Sequence, residues 1–185
     1  MTARLAWTYQ DYAALPDDGT RYEIHDGELS MTPAPTSLHQ IVLANLFRIV
    51  DAHVRARNLG LVLFAPLDVI LSVRLGETTI LQPDLIYLDR ERLDALRPRG
   101  MEGPPTLVVE ILSPGTAVTD RTTKRSLYAR YGGPNRWLVD PDARFVDAFV
   151  RHADQYVMAV RPSGAQPVDL PPFTDLGLVP SSLWP

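Results

Sequence analysis

Apolar positions along the chain change period several times, and each change marks an element. From Ser37 to Arg57, Leu38, Ile41, Val42, Leu46, Ile49, Val50 and Val54 recur at helical spacing. This predicts one long amphipathic helix, ended by Asn58 to Gly60. Leu61 to Leu71 and Ile80 to Leu88 are instead apolar and β-rich, joined by a turn around Gly76, and predict neighbouring strands. In Leu107 to Leu112 five apolar residues surround one carboxylate, Glu110, and the run stops at Pro114-Gly115. That pattern predicts a strand buried on both faces of a sheet.

Shorter signals fill the gaps. Thr8 to Leu15 predicts a short helix with Thr8 as N-cap, stopped by Pro16. Asp26-Gly27 between Arg21–Ile24 and Glu28–Met31 predicts a hairpin, followed by the stiff connector Thr32 to Pro35. Asp89 to Gly103 reads as a charged connector with at most one helical turn. Thr119 or Asp120 opens a helix that runs to Tyr131 and stops at Gly132-Gly133-Pro134. Trp137 to Val139 predicts a short buried strand, and Phe145–Val150 with Tyr156–Val160 an antiparallel hairpin. Phe173, Leu176, Leu178, Leu183 and Trp184 would anchor the Pro-rich tail. The expected class is α/β or α+β, a mixed sheet flanked by helices. It forms one domain over 1–185: an N-terminal helix and hairpin (1–36), a core (37–160) and a packed tail (161–185).

Composition narrows the chemistry. A chain of 185 residues suits one domain with a real core. The absence of cysteine removes disulfides and thiolate metal sites, and fits a reducing cytoplasm. Met1 to Trp7 lacks the apolar core of a signal peptide, and no apolar run is long enough for a bilayer span, so no membrane association is expected. The net charge of −4 means that nucleic acid would have to bind a local patch. Of 18 lysines and arginines, one alone is lysine, Lys124. In so arginine-rich a chain, the surviving ammonium suggests a task that a guanidinium cannot perform.

Glu110 frames the functional question. A carboxylate inside an apolar strand loses hydration, at a cost of several kcal/mol unless a cation, metal or donor set satisfies it. A buried arginine would serve as well as a metal. Gln82-Pro83-Asp84-Leu85 precedes it, and Pro83 places Asp84 near a strand start or edge. Alone, Asp84 reads as a carboxylate capping backbone donors. Paired with Glu110 on an adjacent strand, it could share a hard cation such as Mg²⁺, which takes one or two carboxylates, several waters and phosphate oxygens. Lys124 falls on the helix after the Glu110 strand, on one face with Asp120, Leu127, Tyr128 and Tyr131. No zinc spacing, Walker lysine loop, dinucleotide glycine pattern or G-x-S-x-G is present.

Pro83-Asp84, Glu110 in its apolar strand and a following lysine resemble the PD-(D/E)XK nuclease superfamily, and more closely its Uma-type restriction-endonuclease family. Tyr22-Glu23-Ile24, Asp26-Gly27-Glu28-Leu29, Pro33 to Pro35 before His39-Gln40, and Trp137 to Pro141 carry the same resemblance across nearly the whole chain. It implies a restriction-endonuclease-like core and Mg²⁺, with Mn²⁺ as a substitute. Asp84 and Glu110 would be metal ligands, Lys124 the catalytic lysine, and Glu28 an added acidic residue. The superfamily's lysine stands two residues after the glutamate; here that position is Leu112, and the lysine would have moved to the next helix.

The remaining candidates have two readings each. Glu28 is an exposed hairpin glutamate or part of the acidic cluster. His39 is a packing or capping histidine or lines the site, and Tyr128 is core or reaches the site from the Lys124 face. Arg121 and Arg125, in a basic stretch with Arg130 and Arg136, form a solvated face or contact a phosphate backbone. The expected function is a Mg²⁺-dependent endonuclease acting on DNA, plausibly as a homodimer. The alternatives are a non-catalytic module on the same fold and a carboxylate-pair hydrolase of sugars, which would not need the lysine.

Overall fold

The computed structural model describes residues 6–185. The segment Met1 to Trp7, read above for a leader, lies mostly outside them. Thr8 caps helix α1 (Tyr9–Ala13) through a reciprocal bond pair with Asp11. The hairpin of β1 (Arg21–His25) and β2 (Glu28–Thr32) turns on Asp26 and Gly27, both at positive φ, as a two-residue loop of type I′ requires. Helix α2 (Ser37–Ala56) is capped by Thr36, whose hydroxyl accepts from His39 N.

The two apolar runs that read as neighbouring strands are each divided between two sheets. The first splits into β3 (Gly60–Phe64) and β4 (Val69–Ser72), the second into β5 (Thr79–Leu81) and β6 (Leu85–Asp89). Pro66 and Pro83 stand in the gaps, where a missing N–H interrupts a ladder. β4 pairs with β5 and β3 with β6, both antiparallel. The expectation of one mixed sheet is thereby corrected to two.

The connector after β6 holds a 3₁₀ helix (Arg90–Ala95) and a small hairpin, β7 (Leu96–Arg97) and β8 (Gly100–Glu102). Strands of two and three residues are too short to display a period. The first sheet has the order β2-β1-β5-β4-β8-β7. The Glu110 strand, β9 (Leu107–Ile111), lies at the centre of the second. With β10 (Asn135–Asp140), β11 (Phe145–His152) and β12 (Gln155–Val160), its order is β12-β11-β10-β9-β6-β3.

Both faces of the second sheet are covered, which is why β9 is apolar almost throughout. One face (Leu107, Val109, Ile111, Trp137, Val139) packs on Val42, Leu46, Val50 and Val54 of α2 and on Leu170, Phe173, Leu178 and Leu183 of the tail. The other presents Val108, Leu112 and Leu138 to Leu127 and Tyr128 of the helix that follows. Trp137 is fully buried, and its indole N–H donates to Pro171 O at 2.7 Å, which ties the tail to the sheet. Gly60 joins α2 to β3 at φ +152°, where a Cβ would stand 1.9 Å from Leu88 O, so only glycine fits. Among the described residues no helix is long and apolar enough to cross a membrane.

Candidate active site

β6 and β9 run antiparallel with Leu85 opposite Val109. One step further along that register sets Asp84 opposite Glu110, where facing side chains lie within about 5 Å at Cβ. Glu110 alternates onto the same face as Val108 and Leu112. There the chain after β9 returns as a helix in three parts: α3 (Ala117–Thr119), a π turn (Asp120–Lys124) and α4 (Arg125–Arg130). It begins two or three residues earlier than the sequence suggested, and the π turn gave no sequence signal. Turns of this kind are frequent at functional sites.

The π turn and α4 place three polar side chains over Glu110. Lys124 Nζ lies 3.3 Å from Glu110 Oε1, 3.4 Å from Asp120 Oδ1 and 2.9 Å from Glu23 Oε1. Tyr128 donates its hydroxyl to Glu110 Oε1 at 3.0 Å. All five side chains are buried. Glu23 comes from β1 in the other sheet, so the ammonium joins the two sheets. Its Oε1 also accepts from Gln82 N at 2.7 Å, and its Oε2 pairs with His25 Nε2 at 3.0 Å.

Asp84 is held by a separate set. Its Oδ2 accepts from Ile111 N at 2.8 Å and pairs with His39 Nε2 at 3.1 Å, while Arg21 Nη1 stands 3.4 Å from Oδ1. Between the two carboxylates lies a cavity of about 20 Å³, bordered by Arg21, His39, Asp84, Glu110, Asp120 and Lys124. A single water needs about 10–15 Å³, so there is room for one small polar species.

The electrostatics differ from one carboxylate to the next. Burial pushes Glu110 up to about 8, and the charges of Asp120, Asp84 and Glu23 add to that push against the pull of Lys124. Asp120 is raised for the same leading reason. Burial works on Asp84 as well, but the His39 bond and charge, the Ile111 N–H and Arg21 outweigh it and hold Asp84 below the usual range. Glu23 falls to about 2, because Lys124, His25 and the Gln82 N–H outweigh its burial. For Lys124 burial disfavours the ammonium, yet Glu110, Glu23 and Asp120 together raise it well above an ordinary lysine. The ammonium is therefore fixed as a cation.

Asp84, Glu110, Lys124, His39 and Tyr128 thus come together; as to the two readings left open for His39 and Tyr128, each side chain is both buried and bonded to a site carboxylate. Glu28 does not join them: it is exposed on β2 and borders no part of the cavity. The acidic residue that the hairpin supplies is Glu23. A legible signal existed, since a glutamate between Tyr22 and Ile24 in a strand raises the same desolvation problem as Glu110. Arg121 and Arg125 do not reach the site. Arg121 pairs with Asp140 at 2.8 Å and Arg125 donates to Tyr156 O at 2.7 Å. Of the rest of that basic stretch, Arg130 pairs with Asp26, and Arg136 is fully buried, donating to Asp120 O at 2.7 Å. Arg121, Arg125 and Arg130 thus remain exposed on the helix, away from the cavity. Arg136 alone leaves that face, since it lies on β10 in the core.

The donor set has a definite character. Among the described residues no three His, Asp or Glu side chains converge as a ready-made metal cage. Two carboxylates beside a water-sized cavity fit a hard cation of the Mg²⁺ type, which keeps several waters and needs few protein ligands.

Two packed mixed sheets around a buried carboxylate pair and a lysine define a nuclease-like α+β fold. The chain belongs to the Uma2 family, described as "putative restriction endonuclease", whose profile matches residues 9–181. Its fold is similar to that of a crystal structure described as a putative nuclease belonging to DUF820 from Anabaena variabilis ATCC 29413. The TM-score is 0.77 at 18% sequence identity, over 96% of this chain and 97% of that one. No curated protein gives a significant match.

Proposed function

We propose that this chain is a divalent-cation-dependent nuclease that hydrolyses phosphodiester bonds of DNA at the cavity between Asp84, Glu110 and Lys124. The observation that carries this reading is the position of Lys124. A lysine from a separate helix reaches Glu110 where the general superfamily pattern has a lysine on the strand itself. Asp84 and Glu110 are the residues that would hold Mg²⁺ or Mn²⁺. Such a cation would lower the pKa of a bound water and take up charge on phosphate oxygens.

The chain's own groups have separable tasks. His39 and the Ile111 N–H orient Asp84 and keep it ionised. Tyr128 orients Glu110, whose proton would be displaced when the cation binds, since metal ligands bind deprotonated. Lys124 offers a fixed positive charge to the negative charge on the phosphate oxygens during attack. Glu23 and Asp120 hold that ammonium in place from two sides.

Plasmid nicking in Mg²⁺ or Mn²⁺ tests the reading. Wild type is expected to nick, and Asp84→Ala to lose at least about 100-fold, the scale of losing one site group. Wild type inactive on DNA and RNA, with no metal binding by calorimetry, would sink it. One observation favours a second reading, a non-catalytic module: Lys124 is fully engaged by three carboxylates and buried. In that case Asp84→Ala would change stability without changing any cleavage.

A further inference from the structure

Arg21, His39 and Asp84 border a second, larger space on the side away from Lys124. It is a groove of about 680 Å³ between α2, the end of β3 and the loop before β1. That volume suits a ligand of nucleotide size. Its floor is apolar: Leu43, Ala44 and Phe47 from α2, then Phe64, Ala65 and Pro66. Phe64 is 52% exposed and is held edge-to-face by Phe47, with centroids 4.9 Å apart at 75°. A contiguous apolar surface with an exposed aromatic ring beside a polar site is a usual mark of ligand binding.

The polar wall at the Asp84 end points the same way. Among the described residues, seven buried side-chain atoms lack a hydrogen-bond partner, and three belong to this wall: Arg21 Nε, His39 Nδ1 and Gln82 Oε1. These atoms are enclosed behind the groove surface; what the groove itself presents at this end is the side chains of Arg21, Gln40 and Gln82, donors and an acceptor of the kinds that read a base edge. The exposed Arg48 on α2 adds a cationic group to the groove, as a phosphate neighbour would require.

We infer that this groove is a subsite for one unpaired nucleotide, its base stacked on Phe64 and its phosphate next to the Asp84–Glu110 cavity. This rests on the nuclease reading and narrows it: the substrate carries a single-stranded or extruded base at the point of cleavage. Base-on-aromatic stacking tolerates any sequence, because every base has a π face.

The test uses the full chain in EDTA, so that binding is read without cleavage. The probes carry 2-aminopurine in a single strand, in a duplex opposite no partner, and in a fully paired duplex. Saturable quenching is expected for the first two and weak binding for the third. Phe64→Ala should weaken binding of the single strand by roughly 5- to 100-fold, and Phe64→Trp should restore it. Phe64 is exposed, so an unchanged melting temperature will confirm that the alanine variant folds. Equal binding of the paired duplex, or unaltered binding by Phe64→Ala, would overturn the subsite. A wild type that does nick plasmid, but no faster than Phe64→Ala, would do so too, while leaving the metal-site reading intact. Conversely, single-strand binding lost in Phe64→Ala, with no nicking by wild type in any metal, would overturn the nuclease reading and keep the subsite as a binding site.

Discussion

Lys124 Nζ lies 3.3 Å from Glu110 Oε1, although 14 positions and a change from strand to helix separate the two residues. Removing the ammonium leaves Glu23, Glu110 and Asp120 buried without their shared counter-charge. Lys124→Ala is therefore expected to lower stability by about 3–5 kcal/mol, the cost typical of breaking a buried ion pair. Urea denaturation reads this directly. A loss below about 1 kcal/mol would show that protonated carboxylates absorb the change. Lys124→Arg keeps the charge but not the compact geometry, and should not restore cleavage.

Leu112 occupies the superfamily's usual lysine position, and here it is only 7% exposed among Leu127, Tyr128 and Leu138. A lysine at 112 would have to bury its ammonium in that cluster or displace the helix. Leu112→Lys should destabilise by several kcal/mol, and Leu112→Lys combined with Lys124→Ala should stay inactive. Recovery of nicking in the double variant to near wild-type rates would show that the site accepts its lysine from either element.

Glu23 gives a pH signature. Its folded pKa, about 2, is below the ordinary 4.5, so the folded state binds fewer protons than the unfolded one between those values. Its stabilisation is complete above about pH 4.5 and is lost as pH falls toward 2, in total about 3 kcal/mol. Wild type minus Glu23→Gln, measured by chemical denaturation from pH 6 to 2.5, should shrink steadily on acidification. A pH-independent difference would contradict the assignment.

Mg²⁺ should stabilise the folded chain by mass action, by about 2.7 kcal/mol at a hundred times its dissociation constant. Asp84→Ala and Glu110→Gln should abolish that gain in a thermal melt. Their response distinguishes a specific site from general salt effects, which would persist in both.

The tail is tested by Phe173. Its ring meets His53, Tyr87 and Trp137 at 5.0–6.0 Å between centroids, closing the core over α2 and the second sheet. Phe173→Ala should cost about 3–5 kcal/mol, seen as a lower urea midpoint with an unchanged slope.

Much of this was legible along the chain, for physical reasons. The period of α2, the Asp-Gly hairpin and the apolar run around Glu110 are local signals, and each element stands where its signal lies. Burial cost singled out Glu110 and helical spacing put Lys124 and Tyr128 on one face, while the grouping with Asp84 and His39 came from the resemblance to the Uma-type family. The strand pattern around Glu23 hinted at a burial cost, but its partner Lys124 is reached only across a second sheet, which local periodicity cannot report. That sheet was hidden because Pro66 and Pro83 cut continuous apolar runs, and because β7 and β8 are too short to show alternation. Of the basic stretch, Arg136 alone is misplaced by sequence proximity: it lies past the helix, on a strand that turns it inward.

The π turn from Asp120 to Lys124 has a consequence for how this centre can vary. A π turn takes up about one residue more than an α turn, and each residue rotates a helix by about 100°. Deleting one residue there would yield a more regular helix with ordinary bonding. Because the wide turn spends that residue on nearly the same rotation, α4 would keep its phase over the strand, while the turn could no longer present both Asp120 and Lys124 to the buried cluster. The chain retains an irregular winding where a regular one was open to it. In this centre the width of one turn is the quantity under constraint, and a single-residue gap at Thr122 or Thr123 should be far less tolerated than a substitution at either position.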